Sequence, residues 1–341
     1  MQGPPYASTH IARTILLSGM LFLTGCSPFS HLTRVPAEGH EGPQASQCGA
    51  CHVAQYQEWQ GTAHARAFTG KSFQEAAGSP AEEECLQCHS PLDIRAAKLQ
   101  VRAFHQEEGV TCISCHLTQG KMHGPHATSA LFTPHPVQED EQFYQSPALC
   151  ATCHDETHAQ WQKTAAAQQT KSCQECHMPA VQRRATQGTN PVSTFLVSFE
   201  DEIPTRSHAI TLDAMANFPG AVTITAMALK TGPDAPALVV TIGNNLPHNL
   251  PTGTFGEKEI LLTLSFEKEG TEKETIQAAI SDAGYPLAPG VNKKLVIPLN
   301  PAAMTADTLR LDLARHSISP EHRPPITLSS TLTHSIAKAF H

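Results

Sequence analysis

The chain has little of what ordinary globular proteins of its size are built from. Aromatic residues make up 6% of its 341 positions and charged residues 16%. The first figure is slightly poor in core-building bulk, and the second is too low for a disordered chain. Basic residues are in deficit, 23 Lys and Arg against 31 Asp and Glu, for a formal net charge of −8. Nucleic-acid binders usually show the opposite balance, so no nucleic-acid partner is expected. Outside the extreme N-terminus no apolar run reaches membrane-spanning length. What is abundant is Cys (11) and His (20), and neither is scattered.

The N-terminus reads as an address. Arg13 precedes an apolar stretch, Ile15 to Leu23, with the layout of a secretory h-region. It ends in Leu23-Thr24-Gly25-Cys26, which resembles the bacterial lipoprotein signal, in which the cysteine is lipidated and becomes the new N-terminus. The competing reading is an ordinary secretory peptide with an incidental cysteine. The lipoprotein reading predicts a signal peptide over 1–25, lipidation of Cys26, and a tether over 26–45 rich in Pro, Gly, Ser and Gln. Several acyl chains together anchor stably where one does not. The expected location is therefore exported and membrane-anchored. Ser27 after the cysteine, rather than Asp, weakly favours the outer membrane by the same resemblance.

The other ten cysteines fall into five copies of one motif: Cys48-x-x-Cys51-His52, Cys85-x-x-Cys88-His89, Cys112-x-x-Cys115-His116, Cys150-x-x-Cys153-His154 and Cys173-x-x-Cys176-His177. C-x-x-C-H is the attachment signature of c-type haem. Two thiols three residues apart on a helical turn can both form thioethers to porphyrin vinyl groups, and the next residue then supplies a proximal imidazole to the iron. Zinc sites, redox disulfides and structural staples also use paired cysteines, but none needs His after every second one. With His at about 6% of the chain, five such coincidences have odds on the order of one in a million. Five covalent haems are expected. The gaps between motifs are 32, 22, 33 and 18 residues. Segments this short must wrap haems rather than build a core, which accounts for the scarce aromatics.

An internal repeat sits inside this region. Cys48–Ala65 and Cys150–Ala167 align at an offset of 102 residues and superpose the two tryptophans, Trp59 and Trp161. His52, Tyr56 and Trp59 fall on one helix face, as do His154, His158 and Trp161. The run from His52 to Ala65 (CH-x3-Y-x2-W-x2-T-x-HA), Gly109-Val-Thr-Cys-x-x-Cys-His116 and Cys173-x-x-Cys-His-Met-Pro179 resemble the multihaem c-type cytochromes. That group includes the tetrahaem electron carrier of ammonia oxidisers. The resemblance covers about 45–210. It implies mostly bis-histidine haems in stacked and perpendicular pairs, working as electron conduits. The chain departs from the tetrahaem carrier in its fifth motif and its long C-terminal extension.

Five irons leave five distal positions. His64 matches a distal position of the family, His135 stands in a Pro-His-Pro loop before the fourth motif, and His208 looks like the ligand that returns after the last motif. His248, in Leu246-Pro-His-Asn-Leu-Pro-Thr-Gly253, resembles a recurrent loop in relatives with a C-terminal sheet domain. In Met122-His-Gly-Pro-His126 either histidine could ligate, with His126 preferred. His105, read as helical, is held in reserve. An exposed histidine is the alternative at each of these positions.

From about residue 218 cysteine vanishes and the period becomes two, as in Ile260, Leu262, Leu264 and Phe266. Six or seven such strands over 218–341 predict an immunoglobulin-like β-sandwich. The expected architecture is thus mixed: a mainly helical and loop pentahaem cytochrome domain over 46–212, followed by an all-β sandwich. No nucleophile–base pair or phosphate loop stands out in the sandwich. The leading functional expectation is a lipoprotein that carries electrons between redox protein partners. The rival is an oxidoreductase with one open-coordination haem acting on a small nitrogen or sulfur compound. A third reading makes the sandwich a binding module.

Overall fold

The computed structural model describes residues 42–127, 135, 137–165, 172–210, 220–230, 236–253, 258–317 and 326–333. The expected signal peptide, Cys26, residues 26–41 of the expected tether and the 212–218 junction lie outside these residues, and the last tether position, Ala45, opens the first helix.

The N-terminal part is a string of short helices, each motif carried at or beside one. They are α1 (Ala45–Gly49), α2 (Val53–Gln60), α3 (Lys71–Ala76), α4 (Glu83–His89), α5 (Cys112–His116), α6 (Glu141–Gln145), α7 (Ala148–Ala151), α8 (Asp155–Trp161), α9 (Cys173–His177) and α10 (Pro191–Val197). Three motif helices begin on polar caps: Gln44, Thr111 and Ser172 each complete a capping box with the residue three places on. Such caps let a single turn form where propensity alone would not sustain one. Small sheets fill the gaps. β1 (Leu117–Thr118), β2 (Lys121–Gly124) and β3 (Val137–Glu139) form one, and β4 (Ala180–Arg183) pairs antiparallel with β5 (Ile203–Arg206) in another.

This part is held by polar side chains reaching backbone. The fully buried Arg102 donates to the carbonyls of Phe104, His105 and Gly109. Gly109 has φ +59°, and a Cβ there would sit 2.4 Å from the His64 carbonyl oxygen, so only glycine allows the approach. Trp59 Nε1 donates to Val110 O at 2.8 Å, tying the first motif's helix to the entry of the third.

The C-terminal part is two antiparallel sheets over one core. β6 (Val222–Lys230), β7 (Ala237–Asn244) and β10 (Asn292–Pro298) form the first, in order β10-β7-β6. The second, in order β12-β11-β8-β9, contains β8 (Lys258–Lys268), β9 (Thr271–Asp282), β11 (Thr308–Ser317) and β12 (Ile326–Thr333). The register sets Leu309 opposite Phe266, Leu311 opposite Leu264 and Leu313 opposite Leu262. All six are buried, as are Leu238, Val240 and Ile242 across the core. Each fully buried large side chain contributes roughly 1.5–3 kcal/mol. β9 is a strand that the period-two pattern does not single out. The short helix α11 (Pro301–Met304) bridges β10 and β11.

Candidate haem sites

Four of the five motif histidines stand opposite a second histidine. His52 faces His135 with ring centroids 6.1 Å apart, His154 faces His64 at 6.1 Å, His116 faces His208 at 6.2 Å, and His177 faces His248 at 6.4 Å. Two imidazole nitrogens each about 2 Å from one metal put their ring centres about 6 Å apart. The spacing is too wide for ring contact and suits an iron between the rings.

The backbone sets which nitrogen faces that gap. His52 Nδ1 donates to Ala185 O at 2.8 Å, His89 Nδ1 to Ala67 O at 2.5 Å and His116 Nδ1 to His123 O at 2.8 Å. His208 Nδ1 donates to Arg206 O at 3.1 Å and His248 Nδ1 to Asn249 O at 2.9 Å. A carbonyl oxygen only accepts, so each Nδ1 carries the proton and each Nε2 lone pair is free for a metal. Desolvation reinforces neutrality. Burial, and then the neighbouring His154, hold His64 down at about 4; burial and His116 do the same to His208. A neutral imidazole is the form that ligates. Burial pushes the Cys115 thiol up to about 12, the contribution of Cys112 and Asp93 adding to it.

The thiols show which motifs are neighbours. Cys48 and Cys112 lie close enough to perturb one another electrostatically, and so do Cys150 and Cys173, and Cys88 and Cys153. Cys115 in turn lies within electrostatic reach of Cys150 and Cys153. The first motif therefore adjoins the third, the third the fourth and the fourth the fifth. The second motif joins at the fourth.

The second motif differs from the rest. Among the described residues no second imidazole faces His89. Its ring stacks on Phe73, centroids 4.0 Å apart and planes 14° from parallel. No porphyrin fits in that contact, so Phe73 lies against the flank of His89 and fixes its rotation.

The other candidates are placed elsewhere. His126 Nε2 bonds Pro204 O at 3.0 Å and faces no motif histidine. The nearby chain serves the third motif through backbone: His123 O accepts from His116 Nδ1 and from the Tyr144 hydroxyl. His105 is not helical; its φ of 47° is left-handed, beside Phe104. His158 stacks on Trp161 at 5.5 Å, as Tyr56 does on Trp59 at 5.8 Å, so the repeat reproduces the aromatic pair in kind.

Supporting residues that spacing did not single out hold the distal histidines. Glu58 takes a bidentate bond from Arg183 at 2.7 and 2.9 Å and accepts His208 N at 2.7 Å. Burial alone would raise its carboxyl, but Arg183 and His208 bring it below the usual range. His248 comes from the β region, whose loop docks on α8: Asn249 N donates to Gln160 Oε1 at 2.9 Å, and the Thr157 and Thr252 hydroxyls meet at 2.8 Å.

The site thus offers paired thiols, neutral imidazoles and neighbouring motifs, the donor set that covalent haem needs. Residues 47–117 match the family model of cytochrome c554 and c-prime. The fold is similar to a penta-heme cytochrome c552 from Thermochromatium tepidum. That match has a TM-score of 0.56 and 16% identity, and covers 86% of this chain and 98% of the other. An alkylpurine DNA glycosylase from Pseudomonas fluorescens, bound to DNA containing an abasic-site analogue, aligns at a TM-score of 0.19 and 10% identity over 58% of this chain and 54% of its own. That likeness is too low to bear on the fold. No curated protein matches the chain.

Proposed function

Taking the chain as a multihaem c-type cytochrome, as its repeated motif, family match and shared fold support, we propose that it binds five haems and carries electrons between redox protein partners outside the cytoplasm. The ten paired cysteines would hold the porphyrins, with His52, His89, His116, His154 and His177 as proximal ligands. His135, His208, His64 and His248 would complete four irons. Bound haem supplies reversible one-electron chemistry. The chain orders the sites, keeps the imidazoles neutral through carbonyl bonds and burial, and excludes methionine from the paired positions, which favours low potentials. The observation that carries the reading is the set of four facing imidazole pairs at 6.1–6.4 Å. Lipidation of Cys26, anchoring at the outer membrane and the 1–25, 26–45, 46–212 and 218–341 boundaries are part of the same proposal.

For the C-terminal region we propose an immunoglobulin-like sandwich. The three-stranded order β10-β7-β6 and the four-stranded β12-β11-β8-β9 support it, with seven strands split between two sheets. Its job is to deliver His248 and cover the fifth motif.

A second reading is favoured by His89 alone. With no facing imidazole among the described residues, its iron would keep an open position for a small nitrogen or sulfur compound. Mass spectrometry and electron paramagnetic resonance of the mature holoprotein test both readings. Five haems with four low-spin signals and one high-spin signal are expected. A haem count below five, or high-spin signals at several sites, overturns the assignment. Five low-spin signals remove the second reading.

A further inference from the structure

Helix α10 carries its apolar face outward. Val192, Phe195 and Leu196, at i, i+3 and i+4 of the helix, are 70%, 64% and 42% exposed, and Phe199, in the turn just past its end, continues the stripe at 55%. They are four of the seven large hydrophobic side chains exposed among the described residues. The Phe195 and Phe199 rings meet edge to face at 5.1 Å. The helix backbone is seated on Gly188, where a Cβ would come within 2.3 Å of the Thr194 Cα.

The helix is firmly mounted. Asn190 caps it by accepting Ser193 N at 2.9 Å, with Pro191 at the first position. Glu200, 9% exposed, accepts Thr186 N at 2.9 Å and Thr186 Oγ1 at 3.0 Å, and Arg184 Nε donates to Glu200 O at 2.8 Å. The same strap holds the first motif. Gln187 N donates to Cys51 O at 2.8 Å, Ala54 N to Gln187 Oε1 at 2.9 Å, and His52 Nδ1 to Ala185 O. The stripe is therefore fixed to the backbone that orients His52, at one end of the motif series.

We propose that this stripe is the docking surface on which a small redox protein, its own redox centre rimmed by apolar side chains, exchanges electrons with the His52 site. The proposal rests on the carrier reading above and names where its partner sits. Area decides against a stable dimer. The four side chains expose on the order of 450 Å², whereas stable complexes bury about 800 Å² per partner and transient electron-transfer encounters less than about 600 Å². Charge decides against a lipid surface. Interfacial helices carry Lys and Arg on their polar face, and residues 185–199 contain no charged side chain at all. Arg184 at the rim is paired with Glu202. A neutral rim gives little long-range steering, so the partner is matched by apolar contact rather than by charge.

The test uses the full-length holoprotein, reduced and mixed in stopped flow with either ferricyanide or an oxidised blue-copper protein whose exposed copper ligand is ringed by apolar side chains. Phe195→Asp and, separately, Val192→Asp are expected to slow transfer to the copper protein about tenfold or more. Ferricyanide oxidation should be unchanged, and the wild-type rate should vary little with salt. Variants as fast as wild type overturn the proposal, and so does a wild type that passes no electrons to the copper protein. Altered low-spin signals in the variants would make the stripe a cover for bound haem and overturn it as well. So would a dimer lost on substitution, or flotation of the wild type on neutral vesicles. Failure of the carrier reading looks different: ferricyanide would leave some haem reduced in wild type and variants alike.

Discussion

The two halves of the molecule solve the same problem with opposite materials. Between residues 220 and 333 a single cluster of buried side chains, from Ala221 to Leu328, makes a core of Leu, Ile, Val and Phe. Between 42 and 210 the buried set is sparse and largely polar: Thr62, Ser90, Arg102, Thr111, Ser114, Ser172 and Gln174 beside a few apolar residues such as Ile94, Ile113, Leu117 and Tyr144. Burying those polar groups is tolerable because they bond backbone; Gln174 Nε2 reaches Tyr144 O and Ser146 O, and Ser114 Oγ reaches Pro91 O. Such groups specify a shape but supply little of the apolar driving force that offsets chain entropy. One half brings its own core, and the other is a frame for a core that must be attached.

The largest effect follows directly. Protein made without haem attachment should lose the 42–210 fold outright and keep the β region. Limited proteolysis should then leave a resistant fragment beginning near residue 220, and far-ultraviolet circular dichroism should retain strand signal. A motif region that stays protease-resistant without haem would break the comparison.

Next in size is the reciprocal change. Phe266 is fully buried, opposite Leu309 in the sheet. Phe266→Ala should destabilise the β region by about 3–5 kcal/mol. Thermal melts followed in the near ultraviolet should show it, while signals from the His52–His135, His64–His154 and His116–His208 sites stay unchanged. His177 is the exception, because His248 reaches it from the β region at 6.4 Å between ring centroids.

A smaller, local effect is expected at Glu58. Its carboxylate holds both Arg183 and the backbone N–H of His208. Glu58→Ala leaves a half-buried guanidinium short of a partner and frees the segment that carries His208. The low-spin signal of the His116 site should weaken and its midpoint potential shift, while the other three paired sites hold. Glu58→Gln, which keeps an acceptor, should restore most of the signal. Equal losses in both variants, or at all sites, would mean general loosening instead of positioning.

How much of this was legible in sequence depends on which atoms do the work. Paired cysteines, motif histidines and the histidines at 64, 135, 208 and 248 are side chains of rare type in telling contexts, and the structure brings those histidines opposite motif partners. At His126 sequence context misled, because the neighbouring strand β2 contributes the His123 carbonyl, and any residue has a carbonyl. The Nδ1 acceptors at Ala67 and Ala185 are invisible for the same reason. The sequence reading puts His105 on a helix seven residues before Cys112, but the buried Arg102 fork gathers the carbonyls around it into a left-handed turn. Strand β9 escaped notice because it is an edge strand. Its first residues, Thr-Glu-Lys-Glu-Thr, are exposed except for a partly covered Glu274, and only Ile276, Ala278 and Ile280 lean on the core. Edge strands read as polar because charge there guards against pairing with other chains.

The smallest expected effect is an acid sensitivity confined to the motif half. Asp140 caps α6 by accepting Phe143 N at 3.1 Å and pairs with Arg95, whose guanidinium lies over the Phe143 ring at 4.1 Å. The Arg95 bond, then the Phe143 N–H, hold its carboxyl below the usual aspartate range. A carboxyl depressed in the folded state stabilises fully above its unfolded value near 3.8, and the contribution is lost as pH falls through the lower folded value. The loss therefore falls below about pH 4. Asp140→Asn should reduce stability slightly at neutral pH and flatten the decline in melting temperature between about pH 4 and 2. The β region, which does not contain this pair, should show the same acid profile in both proteins. If the Asn variant instead steepened the acid decline, Arg95 would be held by its stacking on Phe143 and Tyr144 rather than by the carboxylate, and the motif half would owe its local order to aromatic contact after all.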